Sequence, residues 1–419
     1  MTKKIIIILL ASITVVGGAA AAFGPNLARD FVPQFFIARA VLNTAQDFLP
    51  FLDAVRVILP QVQSQPLQLE SSTGINRVGG ELAENIPAAI LPALQLLSIR
   101  NTTRIDSGWD NLANNLNVQM AATSLLETDI MLNRQQLLVN IPMVFDFDIM
   151  LDPRRIGSEL NESALVGMVL PANLIDDNLF YYFYSQLFIQ RRQIDVQGLI
   201  NAALAMAAGA TFEHIGIGGN SNENVFRVIL PVAAANNTVN FVLPGTTFTE
   251  DPVIDLGITG NRLSFASGVL SVNLNGAILP IYAELFFTDI GAISYETLFP
   301  EGTISGTLAV SEQPDHNALN FTTHVTAPDL TAIASGAARL FPQQPWQIEG
   351  SFSNLTLITP NIDIAINTNY TLQADNQPII FNTAEARTLA QLGIFDLLGG
   401  MARLSESPVG ALLGDLILP

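Results

Sequence analysis

The stretch V-L-S-V-N-L-N-G-A-I-L-P-I-Y-A-E-L-F-F, residues 269–287, decides the fold class of this chain. Its two apolar runs, Val269–Leu274 and Ile278–Phe287, are separated by Asn275-Gly276. This dipeptide is typical of a type I′ turn, because both of its residues accept a positive φ. The stretch therefore predicts a β-hairpin. Similar short runs bounded by turn residues predict strands over most of the region from Thr211 to Gln373.

A glycine- and asparagine-rich segment, Gly218–Asn224, separates two further predicted strands, Phe212–Ile217 and Val225–Pro231. The segment lacks the spacing of a phosphate-binding glycine loop and opens no helix, so it predicts a hairpin loop. His214 lies in the alternating pattern of the first strand, which predicts an ordinary strand residue.

A second β-rich region is predicted from Leu67 to about Met150, interrupted near Pro87–Leu97 by a short helix or loop. At its end, Val144–Met150 alternates strictly between apolar and polar residues. A strand with this pattern would place Asp146 and Asp148 on one face. The pair could bind a cation or act as acid and base, although alternating charge on a solvated sheet face is far commoner.

Apolar residues that recur every three or four positions predict helices in several other segments. These are Pro33 to Leu59 with a bend at Pro50, residues 172–210, Asp329–Leu340, Thr383–Leu404 and Val409–Leu418. Asp176-Asp177 lies near the start of the second of these helices, where carboxylates stabilise a helix N-terminus, so we expect it to be a cap.

The combined pattern predicts an α+β fold of large curved antiparallel sheets, in one or two lobes, with helices packed on one face. The predicted organisation has five segments. Residues 1–23 form a leader, 24–170 an N-terminal helix plus β-meander lobe, 171–210 a helical segment, 211–382 a second β-rich lobe and 383–419 C-terminal helices.

The composition excludes several kinds of site. The absence of cysteine excludes disulfides, thiol nucleophiles and thiolate metal centres. Lysine occurs only at Lys3 and Lys4, so the body of the chain offers none for a Schiff base. None of the three histidines has a partner four residues away for a helical metal site, and the G-x-S-x-G motif is absent. The sequence therefore predicts no catalytic residue, cofactor or metal, and no enzymatic activity.

Charge and hydropathy restrict the partners and the location. The net charge of −19 would repel nucleic acid at long range. Lys3-Lys4 precede the uncharged run Ile5–Phe23, which predicts an export signal. The small residues Gly17–Ala22 suit signal cleavage, whereas the length of the run also suits a retained anchor, and both alternatives stay open. Either one places the rest of the chain outside the cytoplasm, and an uncleaved leader would hold it to the membrane through residues 5–23.

The most distinctive feature is an aromatic cluster in the second predicted helical segment. Its members are Phe180, Tyr181, Phe183, Tyr184 and Phe188, together with Tyr182. Such a cluster either packs a helix on the sheet or lines an apolar cavity or membrane interface. With few charges and many strands around it, the second interpretation indicates a protein that binds an apolar or lipid-like ligand.

The layout also resembles a family of uncharacterised, membrane-anchored or lipidated envelope proteins of anaerobic Gram-positive bacteria. The segments that carry the resemblance are the leader Lys3–Ala22, the helix Ala38–Ala45, the meander Asp129–Pro153, and Ala210–Phe212 leading to Val225–Val228. The resemblance implies a curved half-barrel like those of periplasmic lipoprotein carriers, whose sheet and helix enclose a lipid-sized cavity. The chain departs from many such proteins because it lacks a lipobox cysteine, and the family has no catalytic residue to carry over.

Two functional hypotheses follow. The first is a non-enzymatic extracytoplasmic protein that binds an apolar or lipid-like ligand. The alternative is a structural or adhesive surface module that binds protein or glycan through exposed sheet faces. A hydrolase using Asp146 and Asp148 is a third hypothesis, and the sequence indicates no particular protein partner.

Overall fold

The structure is a computed structural model. It describes residues 33–84, 86, 91–121, 123–163, 176–177, 201–202, 205–206, 208–218, 222–242, 246–274, 277–288, 291–343, 345–408 and 410. The chain divides into two compact units, each assembled from separate segments. Unit 1 comprises residues 1–53, 194–313 and 317–333, and unit 2 comprises residues 54–193, 314–316 and 334–419.

Nineteen strands are present among the described residues. In chain order the elements are α1 Pro33–Ala45, a 3-10 turn Gln46–Phe48, α2 Leu49–Ser64, β1 Leu67–Gly79, α3 Gly80–Glu84, α4 Leu91–Leu94, β2 Leu97–Ile105, β3 Asn111–Met120, β4 Thr123–Asn133, β5 Leu137–Asn140, β6 Ile149–Leu151, α5 Ile156–Glu162, β7 Thr211–Ile217, β8 Glu223–Ile229, α6 Val232–Val242, β9 Thr246–Phe248, β10 Val253–Thr259, β11 Arg262–Leu274, β12 Ala277–Phe287, β13 Ala292–Phe299, β14 Gly302–Glu312, β15 Asn317–Ala327, β16 Leu330–Phe341, β17 Gln347–Ile358, β18 Asp363–Ala374, β19 Arg387–Thr388, a 3-10 turn Leu389–Gln391 and α7 Ile394–Glu406. The predicted α+β class with large curved antiparallel sheets is confirmed.

The sheet of unit 1 is an antiparallel meander. Strand β7 pairs with β8, β8 pairs with β10, and β10 to β15 then pair in chain order, while β9 pairs with the end of β11. Strands β11 and β12 pair as far as Leu274 and Ala277, so only two residues link them. The predicted hairpin around Asn275-Gly276 is therefore confirmed, as is the hairpin formed by β7 and β8.

Helix α1 covers one face of this sheet. Ile37 and Ala40 lie three residues apart on the same side of the helix, and they pack against Phe226, Val228 and Ile258. Phe226 is only 1% exposed. The amphipathic pattern predicted from Pro33 is thus confirmed, and the helix breaks at the 3-10 turn just before Pro50.

The sheet of unit 2 runs β17–β18–β1–β2–β3–β4–β5–β6 in antiparallel pairs, and β19 joins β6 in parallel. Its core lies at the β4–β6 end, where α5 and the C-terminal segment pack. The buried members of this core are Leu132, Leu137, Phe145, Phe147, Ile149, Leu151, Ile156, Leu389, Leu392 and Leu397.

The helix predicted over Asp329–Leu340 is wrong, because Leu330–Phe341 is strand β16. The local sequence suggested a helix, but helix propensity is a weak preference that strand pairing overrides. The hydroxyl of Ser353 on β17 donates to the carbonyl oxygen of Ser335 on β16 at 3.2 Å and lies 3.1 Å from the Ser335 hydroxyl. Gly336, in the interior of the segment, further disfavours a helix.

The strand predicted over Val144–Met150 is wrong for most of its length, since only Ile149–Leu151 pairs as β6. The backbone turns beforehand, where the amides of Val144 and Phe145 both donate to the carbonyl of Ile141 at 2.8 and 2.9 Å. The alternation of burial persists regardless, with Phe145 buried and Asp146 exposed. Alternation therefore indicated which side chains enter the core, but it could not indicate whether a strand edge was free to pair.

The C-terminal helix also begins later than predicted. Residues Thr383–Gly393 are not α-helical; Arg387-Thr388 form β19, and α7 starts at Ile394. Asp396 fixes this start by accepting a hydrogen bond from the Gly393 amide at 2.9 Å. The part of the prediction from Ile394 to Leu404 is confirmed.

Among the described residues, no helix combines the length and the apolar character needed to span a membrane. The leader, residues 1–23, lies outside the described residues, so its role stays a prediction.

Candidate functional site

The predicted ligand-lining residues Phe180, Tyr181, Phe183, Tyr184 and Phe188 all lie outside the described residues. Their role stays a prediction.

Asp146 and Asp148 are engaged by different partners. The carboxylate of Asp146 accepts a hydrogen bond from Arg403 at 2.8 Å, and this contact lowers the pKa of Asp146. The carboxylate of Asp148 accepts one from the side chain of Asn140 at 2.6 Å. Each aspartate thus ties together two segments of unit 2, and the role of the two as an acid–base pair stays a prediction.

Asp177 caps a helix, though not the one predicted. Its carboxylate accepts hydrogen bonds from the amides of Gly157 and Ser158 at 2.6 and 3.1 Å, and also contacts the Ser158 hydroxyl. These groups belong to the first turn of α5, where unpaired amides favour negative charge. The helix that Asp177 was predicted to begin lies outside the described residues.

We expect the substitution Asp177→Ala to destabilise the protein at neutral pH and to have a smaller effect in acid. The hydrogen bond from Ser158 is the largest contribution to the lowered pKa of Asp177, so the folded state favours the ionised form. This stabilisation is present above the ordinary pKa of 3.8 and is lost as the pH falls through the lower folded-state pKa. Urea unfolding measured from pH 7 down to pH 3 would test this, with Glu385→Ala, an exposed carboxylate of the same unit, as the control. A difference in unfolding free energy that did not change with pH would contradict it.

The three histidines do not converge. His214 packs against Phe226 with ring centroids 4.9 Å apart, His316 lies 2.7 Å from the carboxylate of Asp315, and His324 is exposed on β15. Within the described part of the chain, no group of three metal-ligating side chains converges.

Unit 1 contains a cavity of about 410 Å³, called here the unit 1 cavity. It lies where the end of α1 and the following 3-10 turn meet the ends of strands β10–β13. The lining residues are Thr44, Asp47, Phe48, Thr259, Arg262, Leu263, Ser264, Phe287, Thr288 and Ala292.

Two hydrogen bonds hold the β10–β11 turn against α1 beside this cavity. The side-chain amide of Asn43 donates to the carbonyl of Asn261 at 2.9 Å, and the amide of Leu263 donates to the buried hydroxyl of Thr44 at 2.9 Å. The turn also needs Gly260, whose φ of 63° suits a residue without a Cβ. These contacts fix the polar part of the lining.

The cavity has two chemically different sides. Phe48, Leu263 and Phe287 are half-buried and give it an apolar wall. On the other side the largely buried carboxylate of Asp47 pairs with Arg262, whose side chain is still partly exposed. An apolar wall beside one polar anchor suits a small amphiphile.

Sequence reasoning missed this cavity. Asp47 and Arg262 are more than two hundred residues apart, and neither lies in a motif. Only the apolar periodicity of α1 and the hairpin signals gave any indication that these segments are ordered.

No protein-family model matches the chain, and no curated protein matches it. Among solved structures, it is similar to a mutant porin of Rh. blastica at 7% identity, over 74% of this chain and 98% of that one, with a TM-score of 0.21. It is also similar to the CymD monoaromatic hydrocarbon channel at 7% identity, over 77% of this chain and 91% of that one, with a TM-score of 0.22. Scores this low do not establish a shared fold.

Proposed function

We propose that this β-rich chain is a non-enzymatic extracytoplasmic protein that binds an apolar or lipid-like ligand in the unit 1 cavity. The observation that carries the proposal is the pairing of an apolar wall with a single ion pair in a cavity of about 410 Å³. That volume lies within the roughly 300–1,000 Å³ of small-molecule sites. The extracytoplasmic location rests on the leader sequence, and the proposed envelope role on the family resemblance.

The lining favours one class of ligand. The apolar part would contact Phe48, Leu263 and Phe287, while a polar end would lie near Arg262. Because Asp47 already neutralises Arg262 and the chain carries a net charge of −19, the polar end would be neutral or singly charged. The size of the cavity favours a single-chain amphiphile over a lipid with two acyl chains.

Native mass spectrometry with lipid extraction on the purified protein tests the proposal, and we expect a reproducible adduct of lipid mass. Binding of the neutral apolar dye N-phenyl-1-naphthylamine should weaken about tenfold in Thr288→Trp, because Thr288 is an exposed residue of the lining and an indole would fill the cavity. The matched control is Thr326→Trp, an exposed threonine of unit 1 outside the cavity. It should bind the dye as the unmodified protein does.

Two outcomes would contradict the proposal. One is a protein that is free of lipid and does not bind the dye. The other is dye binding that Thr288→Trp and Thr326→Trp leave equally strong, since the ligand would then lie outside the unit 1 cavity.

A further inference from the structure

One face of the unit 2 sheet carries a second opening, called here the polar trough. It consists of two cavities of about 280 and 360 Å³ that share Asn369, Tyr370 and Thr371. The trough crosses five strands: β16, β17, β18, β1 and β2. It belongs to unit 2 and shares no lining residue with the unit 1 cavity.

The strand register aligns the two walls of the trough. Each wall is a row of four residues, one from each of β17, β18, β1 and β2, and each residue is the register partner of the next. One wall is formed by Glu349, Thr371, Glu70 and Thr102, and the other by Ser351, Asn369, Ser72 and Arg100. Both walls are polar throughout.

The floor of the trough is backbone. Side chains alternate between the faces of a strand, so Gly350, Tyr370 and Ser71, which lie between the walls, direct their side chains to the opposite face. There the Tyr370 ring occupies the space that a side chain at Gly350 would need, and it lies 6.3 Å from the ring of Phe352. No side chain on the floor blocks access to the main chain.

The charges that line the trough are balanced. Glu349 lies 3.9 Å from Arg339 and accepts a hydrogen bond from Gln347 at 3.0 Å, and Glu70 accepts one from Gln68 at 2.5 Å. Arg100 is exposed, and its guanidinium has no ion pair with any described residue. The trough therefore offers hydroxyls, an amide, carboxylates and guanidinium groups without a large net charge.

We propose that the polar trough binds a neutral, linear oligosaccharide. A ligand that is rich in hydroxyls can use donors and acceptors along both walls at once. With neighbouring strands about 4.8 Å apart, five strands span roughly 19 Å, which accommodates several sugar rings in a row. This site would give the alternative function, a glycan-binding surface module, a definite location.

The other classes of ligand fit less well. A peptide that adds as a strand needs a free sheet edge, but β18 and β1 are paired on both sides. An acyl chain finds no apolar wall, and a polyanion is repelled by the net charge of −19. Because no aromatic ring is offered for stacking, we expect a weak dissociation constant of about 1 mM.

Titration calorimetry of the full chain with cellotetraose and chitotetraose tests the proposal. We expect one of these probes to bind, and Asn369→Ala to weaken binding about fivefold through the loss of a hydrogen bond. Ser72→Trp should abolish binding by filling the trough. Both positions are exposed, so neither variant should unfold the protein. Thr368→Ala, the neighbouring residue on the opposite face of β18, serves as the control.

The proposal is overturned if neither tetrasaccharide binds, or if Ser72→Trp and Asn369→Ala bind as tightly as Thr368→Ala. It is also overturned if Ser72→Trp instead abolishes binding of an extended peptide or of neutral lipid vesicles. These results do not depend on the unit 1 cavity, since none of the substituted residues lies in unit 1.

Discussion

Replacing Phe226 by alanine is expected to lower the free energy of unfolding of unit 1 by about 3–5 kcal/mol. The Phe226 side chain projects from β8, is 1% exposed and packs under α1 in a cluster with Ile37, Val228 and Ile258. Its removal leaves a cavity that the surrounding helix and sheet can refill only in part. Denaturant unfolding that is monitored through a probe attached to unit 1 would measure the decrease in the free energy of unfolding.

Phe286→Ala is the matched control for this prediction. Phe286 lies in the same unit but is 40% exposed, so its truncation should cost much less. Equal losses for the two variants would show that Phe226 does not form the centre of this core.

Replacing Arg104 by alanine is expected to destabilise unit 2 by about 2–4 kcal/mol, since it leaves the buried carboxylate of Asp375 without its ion partner. Asp375 is 6% exposed. Arg104 donates to this carboxylate through Nε and to the carbonyl of Gln377 at 2.7 Å, so one side chain holds the turn that follows β18. Thermal and denaturant unfolding would measure the loss.

Two further variants distinguish the loss of the buried ion pair from the general effect of removing an arginine. Arg339→Ala removes an exposed arginine whose guanidinium lies 3.9 Å from the carboxylate of Glu349. We expect this variant to lower the free energy of unfolding by less than about 1 kcal/mol. Adding Asp375→Asn to Arg104→Ala should restore part of the lost stability, because the unpaired buried charge is then removed. A double variant as unstable as Arg104→Ala alone would refute this explanation.

Local signals in the sequence predicted local structure well. The Asn275-Gly276 dipeptide predicted the β11–β12 hairpin, and the periodicity after Pro33 predicted α1. The errors arose where the outcome depends on distant partners. The helix expected over Asp329–Leu340 is a strand because it lies beside β17. Val144–Asp148 form turns instead of a strand because the amides of Val144 and Phe145 donate back to the carbonyl of Ile141.

The candidate sites were harder to predict than the fold. Asp47 and Arg262 meet only because α1 packs on the β10–β11 turn, and Ser72 and Asn369 stand opposite each other only through the β1–β18 register. No spacing in the sequence encodes either contact. Asp177 shows an intermediate case, because its capping chemistry was predictable whereas the helix that it caps was not.

The pairing of β1 with β18 has a consequence for synthesis of the protein. Leu67 pairs with Ala374, so when β1 to β4 have left the ribosome, β18, the second partner of β1, still lies about 230 residues further along the chain. Until then β1 presents an unpaired edge, the kind of surface that pairs with other chains. Contacts this distant also slow folding, because a long loop must close first. We therefore expect nascent chains of this protein to need a holding chaperone until β18 emerges.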